Sequence, residues 1–404
     1  MINLETPAKL DTLTYQASMA ALHVLRPISR KYDTAEHTYP VELDTLAELV
    51  AQANAQQAGF NTSDTPDPAP PDPGSDTNVN GRSLASLIGL VEMCWGDVGL
   101  MLTMPRQGLG QAAIRAVATP EQLQRFGGKW AAMAITEPEA GSDSASIRTT
   151  AVLDGDEYVL NGEKIFVTSG DRAELIVVWA TLDRSVGRGA IKSFVVERDN
   201  PGLKLDRLEH KLGIRASDTA NFVLENCRVP KVNLLGSPEI ATAREGFAGV
   251  MQTFDNTRPM VAGMAVGVAR AALERTRELF EEAGVQIDYD RPLTTQSAAV
   301  AEFIQLEADW EASRLLSLKA AWMSDNRVPN TVAASIAKAK AGRVATDVTL
   351  HCVALCGTVG YGEDELLEKW ARDAKILDIF EGTQQIQQLV IARQLLGRQS
   401  SELR

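Results

Sequence analysis

The residue best placed to do chemistry is Glu381, in the stretch DAKILDIFEGTQQ from Asp373 to Gln385. Ile379 and Phe380 predict an apolar flank, and Gly382 lets the backbone turn or approach another group where a side chain would block it. A carboxylate beside apolar groups loses hydration, so its pKa rises and it suits proton abstraction near neutral pH. Taken alone, the stretch also fits an ordinary loop glutamate.

Two helices must position it. EDELLEKWARDAKIL repeats Leu366, Leu367, Trp370, Ala374 and Leu377 at helical spacing. TQQIQQLVIARQLLG does the same with Ile386, Leu389, Val390 and Leu395, and ends on Gly397, a residue suited to a helix C-terminus. Glu381 falls where the two patterns meet.

The rest of the chain divides by periodicity into an α+β multidomain protein. Residues 1–128 read as a helical domain, with Pro27 as a break or kink and Thr119 capping a helix that Pro120 begins. Inside it, Gln57 to Arg82 is dense in Pro, Asp, Gly and Ser and predicts a mobile surface loop. Residues 129–240 read as a small β-domain of short strands, with a hairpin turn at Asn161-Gly162. Residues 241–404 carry helical patterns long enough for a bundle.

Composition narrows the function. The 404 residues include 40 basic and 53 acidic side chains, a net charge of −13, which argues against nucleic acid and anionic membrane surfaces as partners. No apolar run reads as a membrane span, and MINLETPAKLDTL lacks the pattern of a signal peptide, so a cytoplasmic protein is expected. Cys94, Cys227, Cys352 and Cys356 are scattered and predict reduced thiols with no metal site.

ARDAK, a short apolar run, EGTQQIQ and IAR together resemble the C-terminal signature of the flavin-dependent acyl-CoA dehydrogenase family. MAITEPEAGSD (Met133 to Asp143), NGEKIFVTSG (Asn161 to Gly170) and TFDNTRP (Thr253 to Pro259) resemble further motifs of that family, in the same order. The resemblance implies an N-terminal α-helical domain, a middle β-domain and a C-terminal four-helix bundle. It implies FAD held by Met133, Ile135, Thr136, Ser142, Phe166, Val167, Thr168, Thr383 and Gln385. It implies an acyl-CoA held by Ser142, Asp255, Thr257, Arg258 and Gly382, although Arg258 also suits a structural ion pair. The implied reaction is α,β-dehydrogenation to the trans-2-enoyl-CoA. Glu381 would remove the α-proton, the β-hydrogen would pass as hydride to the flavin, and electrons would move on to an electron-transferring flavoprotein. The implied setting is fatty acid β-oxidation.

Several positions depart from the family pattern. An arginine and a phenylalanine that reach a neighbouring subunit's flavin are replaced by Val285 and Asp288, counting back from Gln296. A glutamine and a glycine of a second such motif are Ala354 and Thr358. A glycine-rich turn usual near residues 57–82 is absent, and Pro329 stands where a CoA-contacting arginine can occur. These losses leave open a homotetramer or a heteromer with a homologous subunit. Other readings are a non-catalytic flavin-binding scaffold subunit, a relative acting on a carrier-protein thioester, and a DNA-associated member. The net charge disfavours the last.

The composition of 57–82 generates a first prediction. Deleting Thr65 to Asp76 should leave the melting temperature nearly unchanged, because the segment has little apolar surface to bury. A fall of many degrees in differential scanning calorimetry would show that it docks on the fold.

Overall fold

The computed structural model describes residues 7–56, 79–106, 109–240 and 248–398, without the side chains of 51–56 and 248–256. The loop expected at Gln57 to Arg82 therefore lies almost wholly outside the described residues.

The N-terminal helices are α1 (Asp11–Ala20), α2 (Arg26–Thr34), α3 (Glu42–Gln56), α4 (Arg82–Thr103), α5 (Leu109–Val117) and α6 (Pro120–Phe126). A π-helical turn, Ala21–Leu25, joins α1 to α2 just ahead of Pro27. It widens the helix where proline could not continue the regular ladder. Thr119 caps α6 as expected, in a reciprocal capping box with Gln122.

The middle segment is one seven-stranded sheet: β1 (Ala131–Ala134), β2 (Thr150–Asp154), β3 (Glu157–Thr168), β4 (Leu175–Thr181), β5 (Ile191–Glu197), β6 (Leu203–Leu208) and β7 (Thr219–Pro230). The order runs β1-β4-β2-β3-β7-β6, with β5 also paired to β4. One expectation fails here. Asn161-Gly162 is not a hairpin turn but lies within β3, at an irregularity in its pairing with β7. A Cβ on Gly162 would sit 2.4 Å from the Thr149 hydroxyl, so glycine serves close packing there, while Asn161 accepts the Asn226 N–H at 2.7 Å. The turn between β2 and β3 falls earlier, at Gly155-Asp156, with Gly155 at φ +62°.

The C-terminal bundle is built from α7 (Ala248–Glu282), α8 (Ala298–Asp325), α9 (Thr331–Tyr361), α10 (Leu367–Leu377) and α11 (Gln384–Leu396). Its core continues into α4 through Cys94, Val98 and Leu102, packed with Ala265, Ala269, Ala341, Val348, Trp370 and Leu377. Helices α4 and α9 are, by length and composition, long and apolar enough to span a membrane, contrary to the sequence expectation. Much of α4 is buried against the core, whereas α9 is buried on the core side and leaves apolar residues such as Leu350 and Val359 exposed. The four cysteines are free thiols, and burial raises those of Cys227 and Cys352 to about 12.

A buried ionic cluster joins the three parts. Lys369 on α10 is 1% exposed and donates to Asp97 on α4 and, at 2.6 Å, to Asp373. Asp97 breaks α4 with extended backbone (φ −168°, ψ 121°) and caps its second half by accepting the Leu100 N–H at 2.8 Å. It also accepts the Ser29 hydroxyl, and Asp373 accepts the Ile214 N–H from the β6–β7 connection. The two carboxylates outweigh burial and hold the Lys369 ammonium above the usual lysine range. Around the cluster, Arg372 pairs with Asp33 at 2.6 Å and Arg30 with Glu368 at 2.6 Å.

Removing one partner of such a cluster strands the rest in the core. Lys369→Met should cost ~3–5 kcal/mol in guanidinium unfolding, and adding Asp97→Asn and Asp373→Asn should recover much of it. An unchanged unfolding midpoint in Lys369→Met would show that the cluster does not hold α10.

Candidate active site

Glu381 sits in the connection from α10 to α11. Its backbone is left-handed, φ +56°, and Gly382 follows at φ +88°. For a residue with a Cβ that conformation is strained and persists only where neighbours enforce it. Two buried side chains do so. Gln387, one turn into α11, donates to the carbonyls of Glu381 and Gly382, both at 3.1 Å. Lys338 of α9 donates to the Gly382 carbonyl at 2.7 Å. The Gly382 φ of +88° is one that residues with a Cβ rarely adopt, so glycine suits the position, and a Cβ there would also lie 2.5 Å from the Gln387 amide nitrogen.

The Glu381 carboxylate is half-buried and accepts the Thr257 hydroxyl at 2.8 Å. Burial raises its pKa above the ordinary glutamate value, and the Thr257 hydrogen bond, Arg258 and Lys338 act against that rise. Arg258 is 3% exposed on α7. Burial lowers Lys338 to about 8, although Asp378 and Glu381 favour its charge. Thus Glu381 has the chemistry of a tuned proton acceptor.

A second group is built on the β-domain. Glu137, just past β1, is buried and accepts Lys164 at 2.7 Å, the Thr149 hydroxyl at 2.6 Å and the Arg148 N–H at 2.5 Å. Lys164 is fully buried and also donates to the Ile135 carbonyl at 3.1 Å, while the Thr136 carbonyl accepts the Ile165 N–H at 2.9 Å. This ties the end of β1 to an irregularity in β3 at Ile165-Phe166. Phe166 is left-handed (φ +58°), 59% exposed, and held by its N–H on the buried Asn221 at 3.1 Å. A large aromatic face presented on strained backbone is a binding feature rather than a folding one.

The expected contacts are distributed as follows. Met133, Thr136 and Thr168 are half-buried, whereas Ile135 and Val167 are buried, Val167 completely, so that they could meet a ligand only through their main chain. Ser142 is exposed in the loop after the Glu137–Ala140 bridge. Thr383 caps α11 by accepting the Ile386 N–H at 3.3 Å, and Gln385 is exposed. Thr257 and Gly382 are brought to Glu381, and Arg258 lies within its electrostatic reach. The Asp255 side chain lies outside the described residues. These groups fit a flavin: an aromatic face for a flat ring and threonine hydroxyls and main-chain groups for its polar edge.

Sequence reasoning missed Lys164, Lys338 and Gln387. A signal existed for Lys338, which lies in an apolar stripe with Ala334, Ala337, Ala341 and Val344, whereas Lys340 points outward to Asp309. Among the described residues, Glu36, His37 and His210 bring ligand-type atoms within 4.8 Å of one another. Glu36 is already engaged there by His210 at 2.8 Å and the Lys211 N–H at 2.9 Å.

Known proteins share this arrangement of helices, sheet and bundle. The solved butyryl-CoA dehydrogenase of Megasphaera elsdenii superposes with a TM-score of 0.83 at 29% identity, covering 98% of this chain and 100% of that one. Residues 132–227 match the acyl-CoA dehydrogenase middle domain and residues 244–396 its C-terminal domain. The chain is 36% identical to a short-chain-specific acyl-CoA dehydrogenase of Clostridium acetobutylicum, over 78% of this chain and 83% of the relative. It is 39% identical to the mitochondrial short-chain-specific enzyme of Rattus norvegicus, over 78% of this chain and 76% of the relative. The chain belongs to the acyl-CoA dehydrogenase family.

Proposed function

We propose that this protein catalyses FAD-dependent α,β-dehydrogenation of an acyl-CoA thioester to the trans-2-enoyl-CoA, with Glu381 as the base. The observation that carries the assignment is Glu381 itself: a left-handed, half-buried carboxylate with a raised pKa, held by Thr257, at the head of a glycine turn. Bound FAD supplies the hydride acceptor for the β-hydrogen. The residues of the chain supply the rest. The Glu381 carboxylate takes the α-proton, and its main-chain N–H polarises the thioester carbonyl so that the proton becomes acidic enough to leave. Thr136, Phe166 and Thr168 seat the ring, and Ser142, Arg258 and Gly382 orient the thioester. A positioned base contributes ~10²–10⁴-fold. A structural scaffold has no need to hold a glutamate in strained backbone, which favours the catalytic reading. The relatives named for short chains favour a short acyl group, and an electron-transferring flavoprotein is the proposed acceptor. A cytoplasmic location is part of this reading, supported by the scattered free cysteines, which suit a reducing compartment.

In the flavin-loaded assembly, Glu381→Gln should bind flavin and acyl-CoA as the wild type does but lose flavin reduction by several orders of magnitude, read by anaerobic bleaching with butyryl-CoA. Near-normal bleaching in that variant would place the base elsewhere.

A heteromeric assembly is the second part of this reading. Val285, which replaces the arginine, packs inward on the bundle core and offers no donor. Arg291, out of register, is exposed and turned onto Thr295 at 3.1 Å. Helix α9 breaks at Gly357 (φ +55°), between Ala354 and Thr358. A flavin pyrophosphate in a homodimer would lose a charge-assisted contact of ~1.5–3 kcal/mol per bond. Expressed alone, the chain should be flavin-poor, and a homologous subunit carrying the donor motifs should make it yellow and active. Stoichiometric, tightly held FAD in a homotetramer would overturn the heteromer.

A further inference from the structure

Lys338 is a lysine on the wrong side of its helix. It projects from α9 into the apolar face formed by Ala334, Ala337 and Ala341 and is 1% exposed. Burying an ammonium costs several kcal/mol unless it meets good partners. Its hydrogen-bond partner is the Gly382 carbonyl, at 2.7 Å, directly after the proposed base. That carbonyl also receives Gln387, so it is held from two directions while Glu381 and Gly382 remain left-handed.

We propose that Lys338 is the positioning residue of the catalytic loop: its ammonium fixes the Gly382 carbonyl, thereby holding Glu381 in its left-handed backbone, and its charge favours the ionised, proton-accepting carboxylate. This rests on Glu381 being the base. Two effects come from one group. The hydrogen bond fixes where the carboxylate stands. The charge fixes the pH at which it becomes able to accept a proton.

Among the described residues, few other groups face the pair. Thr257 and Arg258 come from α7 and act on Glu381 directly. Asp378, at the end of α10, favours the Lys338 charge, and it is itself met by Lys375 at 3.3 Å and Arg343 at 3.7 Å. Arg258 therefore remains as a cation near Glu381 when Lys338 is replaced, so the effect is partial. Its direction is fixed. Desolvation pushes the Glu381 pKa up, and an adjacent cation pulls it down. Removing that cation lets it rise, and the rate then fails at a higher pH as the solution is acidified.

The test uses the flavin-loaded protein, with its homologous subunit if flavin retention requires one. Single-turnover flavin reduction by butyryl-CoA is followed against pH in wild type, Lys338→Met, Lys338→Gln and Lys338→Arg. A second readout, independent of turnover, is the infrared titration of the Glu381 carboxyl in the ligand-free chain, taken as a difference against Glu381→Gln. In Lys338→Met the acid limb and the carboxyl titration should both move up by about one pH unit. The plateau rate should fall ~10–100-fold through misplacement of the base. Lys338→Arg should restore the limb but not the plateau. Lys338→Gln keeps a donor without a charge, so it should show the shifted limb with a milder plateau loss, and it carries the test if Lys338→Met does not fold. An unmoved limb and an unmoved carboxyl titration in the charge-removing variants would overturn the proposal. Normal flavin reduction in Glu381→Gln would instead overturn the assignment of the base, while the carboxyl titration would still report on Lys338.

Discussion

The site depends on one buried ionic cluster. Lys369 and Asp373 stand one turn apart on α10, and Asp97 approaches from α4. Charges in that setting are tolerated only because each is met: two carboxylates share the ammonium, and main-chain N–H groups of Leu100 and Ile214 take the remaining lone pairs. The geometry is therefore demanding, and it fixes α10 against both the N-terminal helices and the sheet. Close contact reinforces it, since a Cβ on Gly213 would overlap the backbone of Arg372 and Asp373. Glu381 begins four residues beyond the end of α10, so the placement of that helix is inherited by the carboxylate.

The two halves of the site use the same device. In each, an exposed or half-buried functional side chain stands on left-handed backbone, Phe166 in the β-domain and Glu381 in the bundle. In each, a buried lysine donates to a nearby carbonyl: Lys164 to Ile135, Lys338 to Gly382. Strain of this kind costs ~1–3 kcal/mol per residue and needs rigid neighbours to persist. A lysine buried in apolar surroundings is such a neighbour, because moving it without its partner would leave a charge unsolvated.

The sequence made much of this legible, and its failures have physical causes. Thr119-Pro120 announced α6 because a cap and a fixed φ are local chemistry, and Gly397 announced the end of α11 in the same way, its φ being +62°. Glu381 was legible as a candidate because its motif is contiguous. Asn161-Gly162 misled because the glycine answers to a tertiary contact, Thr149, rather than to a turn. The membrane-span expectation failed because α4 and α9 carry few charged residues over long stretches, α4 mostly buried and α9 buried on one side only. Lys369 stayed hidden because a long polar side chain reads as surface until its partners, far along the chain, are known, and Lys338 was passed over for the same reason despite its place in an apolar stripe.

The ionic cluster also bears on how the protein comes into being. Its members are separated by 272 residues between Asp97 and Lys369 and by 159 between Ile214 and Asp373. Contacts that distant must await loop closure and are the slow ones to form. During synthesis the N-terminal helices and the sheet leave the ribosome long before α10 exists. Until it arrives, Asp97 has no lysine and the Ile214 N–H has no carboxylate. Glu381 follows within a dozen residues of Lys369, so it emerges together with the group that docks its helix. Competence is thus acquired in a single late step, and in a chain cut short before α10 the Asp97 carboxylate keeps only its hydrogen bonds from Ser29 and Leu100, without the cation that balances it.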